Sequence, residues 1–211
     1  MRYFSNLPLI SAPDINNTSV AQVNLLARVS VVPALFLNPL LYYKYDIQEG
    51  DTPEIVATKY YGDPYRYWLV MFSNKIFDPH WDWPLSYRQF QLYINDKYGA
   101  AALANTQSAL TYTQSTLKEY RKTIESEDTT TKNITTINYT IDSNTYNSTT
   151  SSSNTVVFSD GSVAKYTTTR SIVNIYDWET EQNEAKRVIN LINNIYVGKI
   201  EEQFQSFFGK S

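Results

Sequence analysis

The clearest structural signals of this chain lie in residues 45–57, which read Tyr45-Asp46-Ile47-Gln48-Glu49-Gly50-Asp51-Thr52-Pro53-Glu54-Ile55-Val56-Ala57. From Tyr43 to Ile47 large apolar and polar residues alternate, which is the period of a half-buried strand. Gly50 ends that strand in a turn. Thr52 and Pro53 predict the start of a helix, because threonine can bond the free backbone amides and proline's missing N–H costs nothing there.

A second short helix is predicted directly after the first, which stops near Gly62. Asp63 and Pro64 repeat the same capping chemistry, and the second helix should end by Asn74. Its apolar residues fall at helical spacing, and Trp68 is expected in the core rather than at an interface. The residues at that spacing are Tyr67, Trp68, Met71 and Phe72.

An aromatic loop, residues 78–84, precedes a third predicted helix. The loop reads Asp78-Pro79-His80-Trp81-Asp82-Trp83-Pro84, and its two prolines make it rigid. Ser86 and Gln89 have the spacing of a capping box. A helix is therefore predicted over residues 87–98, closed by Gly99.

Residues 106–169 are rich in Ser, Thr and Asn, which leaves two interpretations open: a disordered insert or a set of β-hairpins. Ile137, Tyr139 and Ile141 alternate as in a strand, and Asp160-Gly161 is a good tight-turn dipeptide between two apolar runs. We favour an extended β arm with a mobile middle. Its weak apolar content indicates that contact with a partner holds it in shape.

The last segment shows strong helical spacing. One apolar face is predicted to contain Ala185, Val188, Ile189, Ile192 and Ile195. A second short helix is predicted after Gly198, with the apolar residues Ile200, Phe204, Phe207 and Phe208. Both faces need a cover, and either residues 42–99 or another molecule could supply it.

Residues 1–41 carry little charge, and their apolar residues fit neither the helical nor the strand period between residues 21 and 32. We expect an extended anchor. No signal peptide is expected, because no continuous apolar segment precedes a small-residue cleavage site. The most apolar stretch, residues 29–41, is broken by prolines and is shorter than the roughly 20 residues of a membrane span.

Composition disfavours several function classes. A net charge of -3 gives no excess of Lys and Arg for nucleic-acid binding, and the absence of cysteine excludes disulfides, thiolate metal sites and cysteine nucleophiles. His80 is the only histidine, and no zinc-protease pair, nucleophile elbow or phosphate loop is present. We therefore expect no catalytic residues, no cofactor and no metal. The 18 tyrosines suit either contact surfaces or the margin of a small core.

Part of the pattern resembles the LysM motif. That family opens with an aromatic strand, a Gly-Asp-Thr turn and an Ile-Ala helix, and it has a later Asn. The corresponding segments are residues 45–57, Tyr61-Gly62-Asp63 and Asn74-Lys75-Ile76. The family's closing strand, announced by Gly-Gln and Ile-Pro, is not found after Ile76, where residues 77–84 stand instead.

The LysM resemblance implies one function. LysM modules bind N-acetylglucosamine chains of peptidoglycan or chitin in grooves beside the loops that join strand and helix. The corresponding turn and loop residues here are Gly50, Asp51, Thr52 and Asn74. Glycan binding is therefore the alternative function.

A longer resemblance is more specific. It runs through residues 62–68, residues 74–84, the helix to Gly99 and Tyr176-Asp177-Trp178-Glu179, and it extends to both ends apart from the Ser/Thr/Asn-rich region. These segments together resemble the LysM-like baseplate wedge protein of T4-type contractile-tailed bacteriophages. Membership would imply a structural part of the virion tail baseplate, assembled in the host cytoplasm, that clamps adjacent wedges into a ring around the hub.

The resulting prediction is an α+β fold with a small LysM-like domain, an extended β-rich arm and C-terminal helices. The expected divisions are residues 1–41 as anchor, 42–99 as the LysM-like domain, 100–175 as the arm or insert, and 176–211 as the helical segment. The expected partners are other wedge proteins and neighbouring wedges, with neither nucleic acid nor membrane. The aromatic residues predicted at the interface are Tyr65, Tyr67, Trp81 and Trp83.

Overall fold

The computed structural model describes residues 7–16, 18–24 and 39–207. The chain divides into two compact units, residues 1–86 with 184–211 and residues 87–183. Both helices and strands are present, so the predicted α+β class is confirmed. Among the helices that the structure describes, none is long and apolar enough to cross a membrane.

The strands and helices follow one another along the chain. The strands are β1 (Leu9–Pro13), β2 (Ser19–Val23), β3 (Tyr42–Asp46), β4 (Leu117–Asp128), β5 (Ile134–Ile141), β6 (Ser152–Val157), β7 (Val163–Asn174) and β8 (Val188–Ile192). The helices are α1 (Pro53–Tyr61), α2 (Tyr67–Ser73), α3 (Pro79–Asp82), α4 (Tyr87–Ala104), α5 (Ala109–Ser115), α6 (Ser143–Ser148), α7 (Ile175–Glu184) and α8 (Asn194–Phe207). Short 3₁₀ turns precede β3 and α2, at Pro39–Leu41 and Pro64–Arg66.

The first unit is built on a two-stranded antiparallel sheet of β3 and β8, in which Tyr45 lies opposite Ile189. Helices α1 and α2 follow β3 and share its core, whose fully buried side chains include Val56, Leu69 and Leu191. Strands β1 and β2 form a separate antiparallel hairpin. The order is therefore strand, helix, helix, strand, with the last strand supplied from far along the chain.

The capping prediction for α1 is confirmed. The one for α2 is wrong, because Asp63 caps the 3₁₀ turn Pro64–Arg66 and α2 begins after Arg66 without a side-chain cap. The Ile55 N–H donates to the Thr52 hydroxyl at 3.4 Å, and Pro53 occupies the first helical position. Gly62 ends α1 with φ 71°, a left-handed conformation that glycine adopts without steric cost. The Tyr65 N–H donates to the Asp63 carboxylate at 2.9 Å, and α2 ends before Asn74.

The helix predicted across residues 185–195 is wrong, because Val188–Ile192 is strand β8. Ile189 and Leu191 are buried while Val188 and Asn190 are exposed, which is the alternation of a strand. Three of the five strand residues are β-branched and suit a pleated, half-buried surface. The apolar residues of this segment also fit the spacing of a helix. The pairing with β3, more than 140 positions earlier in the chain, distinguishes the two and is not visible in the local sequence.

The C-terminal helix also differs from its prediction. Helix α8 begins at Asn194, before Gly198, and Phe204 packs on Trp68 with ring centroids 5.1 Å apart. Trp68 is 5% exposed, as predicted for a core residue. Phe208 and residues 25–38 lie outside the described residues, so the predictions made for them have no structural counterpart here.

The second unit combines α4, α5 and α7 with a four-stranded antiparallel sheet in the order β5-β4-β7-β6. The β interpretation of the Ser/Thr/Asn-rich region is thereby confirmed, and Asp160-Gly161 turns between β6 and β7 with Gly161 at φ 84°. The predicted end of α4 at Gly99 is wrong. The helix continues to Ala104 because alanines, the best helix formers, follow the glycine and offset its cost.

Candidate functional site

Two aromatic side chains, Phe77 and Trp81, stand out in the first unit because they are 89% and 68% exposed. We call them the exposed aromatic pair. The backbone between them is held by carboxylates: the N–H groups of Phe77 and Asp78 both donate to Asp82 at 3.1 Å. The His80 N–H donates to Asp78 at 2.9 Å, which caps the single turn of α3. The exposed rings therefore sit on an ordered loop.

The charge on Asp82 is stabilised by this arrangement. Hydrogen bonds from the backbone N–H groups of Asp78 and Phe77 lower the pKa of the Asp82 carboxyl, so it stays ionised at neutral pH. Lys186 contributes a further bond from its ammonium to the Trp81 carbonyl oxygen. A loop ordered before binding loses less conformational entropy when a partner covers its aromatic rings.

The structure separates the four residues predicted at the interface. Trp81 is exposed, whereas Trp83 is only 7% exposed and belongs to the core. Tyr65 is 48% exposed on the 3₁₀ turn before α2, and Tyr67 is half-buried against the core. Of the four, Trp81 and Tyr65 are therefore the exposed ones.

Sequence reasoning did not single out Phe77, the more exposed ring of the pair. It lies immediately before the aromatic loop, and a signal was present: a large aromatic residue directly ahead of the helix cap Asp78. Ile76, its neighbour, is buried and fixes the start of the loop. Ile76 is thus buried and the adjacent Phe77 is exposed, a difference that the sequence alone does not reveal.

The LysM-like turn is closed by its own hydrogen bonds. The Asp51 carboxylate accepts from the Tyr45 hydroxyl at 2.8 Å, from the Gln48 N–H at 3.1 Å and from the Lys59 ammonium at 2.6 Å. Burial alone would raise the pKa of Asp51, but the hydrogen bonds from Lys59 and Tyr45 outweigh it and lower the pKa. Gly50 adopts φ 83° to make the turn.

Trp83 connects the aromatic loop to the same turn. Its indole N–H donates to the Asp51 carbonyl oxygen at 2.8 Å, 32 residues earlier in the chain. The turn therefore has both its carboxylate and its carbonyl engaged within the first unit.

The later motif residue, Asn74, is also engaged internally. Its amide NH₂ donates to the Val70 carbonyl at 2.8 Å and to the Asn190 carbonyl at 2.9 Å. The Ser73 hydroxyl reaches the same Asn190 carbonyl at 2.7 Å. Asn74 thus attaches α2 to the closing strand β8.

The positions of potential metal ligands and of the single histidine bear on other kinds of site. Within residues 7–16, 18–24 and 39–207, no three His, Asp or Glu side chains come together as ligands for a metal ion. His80 is exposed on α3.

A comparison with protein-family models decides the family. The model described as base plate wedge protein 53 matches residues 12–205 of this chain. The chain belongs to the base plate wedge protein 53 family. A base plate wedge protein is a structural component of the bacteriophage tail baseplate, so the chain is placed in the virion and contacts other baseplate components. A search of the curated proteins finds no match.

Proposed function

We propose that this wedge protein is a non-enzymatic connector that links neighbouring wedges into a ring around the hub. The carrying observation is the exposed aromatic pair, Phe77 and Trp81, held on a loop that Asp78 and Asp82 order. Large exposed apolar side chains on an ordered surface are typical of protein contacts, and aromatic anchors supply most of the binding energy there. The carboxylates of the loop favour a partner pocket with a basic rim.

The proposal uses the first unit as a rigid LysM-like body. Its strand, helix, helix, strand order supports the LysM resemblance, with β8 in the place of the family's closing strand. In this proposal the aromatic pair binds one wedge component, and the residues 87–183 unit contributes a second contact to a neighbouring wedge. Two separate contact surfaces are what a connector requires.

Peptidoglycan binding is the rival function, and the internal hydrogen bonds favour the connector over it. A glycan site needs free polar groups in the turn and loop of the motif. Here the Asp51 carboxylate is bonded by three groups, the Asp51 carbonyl accepts from Trp83, and the Asn74 amide is bonded to Asn190. These bonds occupy much of the hydrogen-bonding capacity that a sugar would need from the same groups.

Light scattering of the purified chain with the other wedge proteins of its own phage tests the proposal. We expect a defined larger complex, and Trp81→Ala should weaken it by roughly ten- to thirtyfold because an aromatic anchor is lost. Ile195→Ala is the matched control, since Ile195 is also exposed in the first unit. A chain that stays alone with every wedge protein but sediments with peptidoglycan, and loses that retention on Thr52→Ala, would contradict the connector role.

A further inference from the structure

One edge of the four-stranded sheet lacks the usual protection against strand pairing. Strand β5 is the edge strand, and among the strands that the structure describes it pairs with β4 alone. It has eight residues, pairs with β4 without a bulge, and is exposed along nearly its whole length. Its sequence, Ile134 to Ile141, contains no charge, proline or glycine, which are the devices that protect natural edges.

The hydrogen bonds of the flanking turn show which backbone groups of β5 face outward. The Asp128 N–H donates to the Asn133 carbonyl at 3.0 Å, in register with the pair Glu127 and Ile134. Bonded and non-bonded pairs alternate in an antiparallel ladder, so the odd-numbered residues of β5 bond to β4. The even-numbered ones direct N–H and C=O to the open side: Ile134, Thr136, Asn138 and Thr140.

The sheet face that meets this edge is apolar near β5. Ile137 and Tyr139 are 48% and 46% exposed there, and Ile124 of β4 lies directly opposite Ile137 on the same face. The other edge strand, β6, presents Ser152, Asn154 and Val156 on that face, and Val156 is 40% exposed. The β5 edge therefore offers unpaired backbone groups together with two large apolar side chains, Ile137 and Tyr139, whereas β6 offers one smaller apolar side chain, Val156, on the same face.

Charge on this face indicates the chemistry of an occupant. Lys122 of β4 lies opposite Tyr139, and Arg170 of β7 lies opposite Lys122, so two cations share one row. Arg170 donates to the carbonyls of Tyr146 and Asn147, and no carboxylate of the described strands lies in that row. A strand added beside β5 is complementary when it places an acidic residue near Tyr139.

We propose that β5 binds an extended segment of another wedge protein as a fifth strand of this sheet. The segment carries apolar or β-branched residues opposite Ile137 and Tyr139, where side chains come closest, and a carboxylate toward Lys122. This inference rests on the proposed function. Neighbouring wedges in a ring are related by cyclic symmetry, and such contacts join two different surfaces. The added strand therefore comes from another wedge protein and is not the β5 strand of a second copy of this chain.

Proline substitution at the outward position tests the added strand. Thr136→Pro removes one outward N–H and leaves the bonds to β4 in place, since proline is tolerated on an edge where its N–H faces solvent. Thr155→Pro is the matched control on β6: the Phe158 N–H to Ser162 bond, in register with β6 and β7, makes Thr155 outward-facing too. Both threonines are exposed.

The probe is the wedge sub-assembly of the same phage, purified without this chain, and binding is measured by titration. We expect Thr136→Pro to weaken binding by roughly tenfold or more and Thr155→Pro to change it less than twofold. Wild-type binding that Thr136→Pro leaves intact overturns the added strand but not the connector role. A wild-type chain that does not bind the sub-assembly overturns both.

Hydrogen exchange of the wild-type complex supplies a readout that does not depend on a variant folding. The amides of Thr136 and Asn138 should become protected on binding, because they would donate to the added strand. The amides of Thr155 and Val157 on β6 should exchange as before. Binding without new protection at Thr136 and Asn138 overturns the proposal.

Discussion

The side chain of Asn74 makes both hydrogen bonds that a neighbouring strand would make with Asn190. The Asn190 N–H donates to the Asn74 amide oxygen at 2.7 Å, and the Asn74 NH₂ donates to the Asn190 carbonyl at 2.9 Å. These residues are 116 positions apart in the chain. The motif asparagine therefore closes the outer edge of β8 and holds the last strand of the first unit in place.

Substitution of Asn74 should destabilise the first unit. Asn74→Ala removes both bonds to the Asn190 backbone, and we expect the free energy of unfolding to fall by about 1–3 kcal/mol. Asn190→Ala is the control, because it keeps the backbone groups that Asn74 binds and should cost about 0.5 kcal/mol or less. Urea unfolding followed by tryptophan fluorescence measures both. Equal effects of the two substitutions would contradict the assigned role of Asn74.

Burial of β8 predicts a large effect at Leu191. This side chain is fully buried in the core that β3, α1 and α2 share, so Leu191→Ala should cost about 2–5 kcal/mol through lost contacts and a cavity. Ile195, 79% exposed at the start of α8, should tolerate alanine within about 0.5 kcal/mol. Thermal unfolding of both variants checks the pair. The ranking would reverse if residues 185–195 formed the helix that their spacing suggested.

The two tryptophans of the aromatic loop should respond in opposite ways. Trp83→Ala removes a buried ring and its bond to Asp51, and should lower the free energy of unfolding by about 3–5 kcal/mol. Trp81→Ala should change stability by about 0.5 kcal/mol at most, since the ring is exposed. Chemical denaturation gives the two values. A strongly destabilised Trp81→Ala chain would mean that this ring is part of the core.

A buried carboxylate joins α4 and α7 in the second unit. Glu179 accepts from Lys97 at 2.7 Å, from Tyr93 at 3.0 Å and from Tyr98. Burial alone would raise the pKa of Glu179, but these hydrogen bonds outweigh it and lower the pKa. Burial and the bond to Glu179 together raise the pKa of Tyr98 to about 12.

Stability of the second unit should therefore depend on pH at both extremes. A lowered carboxyl pKa stabilises the fold above its ordinary value of 4.5, and that contribution is lost as pH falls through the folded-state pKa. The raised pKa of Tyr98 gives stability that is complete below pH 10.0 and lost as pH rises toward about 12.

Glu179→Gln tests the acid side of this dependence. It should flatten the loss of stability below pH 4.5 and cost about 1–3 kcal/mol at neutral pH, because Lys97 and two tyrosines lose an ionised acceptor. Glu125→Gln is the control, since Glu125 is exposed in the same unit. Urea unfolding by circular dichroism between pH 3 and 7 gives the comparison. An unchanged acid limb in Glu179→Gln would rule out this carboxylate as its source.

Amide exchange in the isolated chain should alternate along β5. The N–H groups of Ile137 and Tyr139 are assigned to the β4 ladder and should exchange slowly, while those of Thr136 and Asn138 face solvent and should exchange fast. Residue-resolved hydrogen exchange measures the pattern. Uniform protection of all four amides would show that the outward edge is already paired.

Elements with local causes followed from the sequence. The Thr52 cap, the Gly62 end of α1 and the Asp160-Gly161 turn depend on groups within four residues of one another, so their chemistry is visible in a short stretch. The family resemblance likewise rested on short capped segments. The Thr52 cap, the Gly62 helix end and the Asp160-Gly161 turn were predicted correctly for that reason.

The identity of β8 and the burial of the loop tryptophans could not be predicted from local sequence, because both depend on residues that are distant in the chain. Residues 188–192 carry apolar spacing that fits a helix as well as a strand, and only pairing with β3 makes them β8. Trp81 and Trp83 lie two positions apart in the same loop, yet of the two only Trp83 donates to the Asp51 carbonyl and is buried. Local sequence was enough to place the start of α1 and the turns at Gly50, Gly62 and Gly161, because their causes lie within a few residues. Which strand closes the core and which aromatic ring stays exposed depended on contacts with residues far away in the chain.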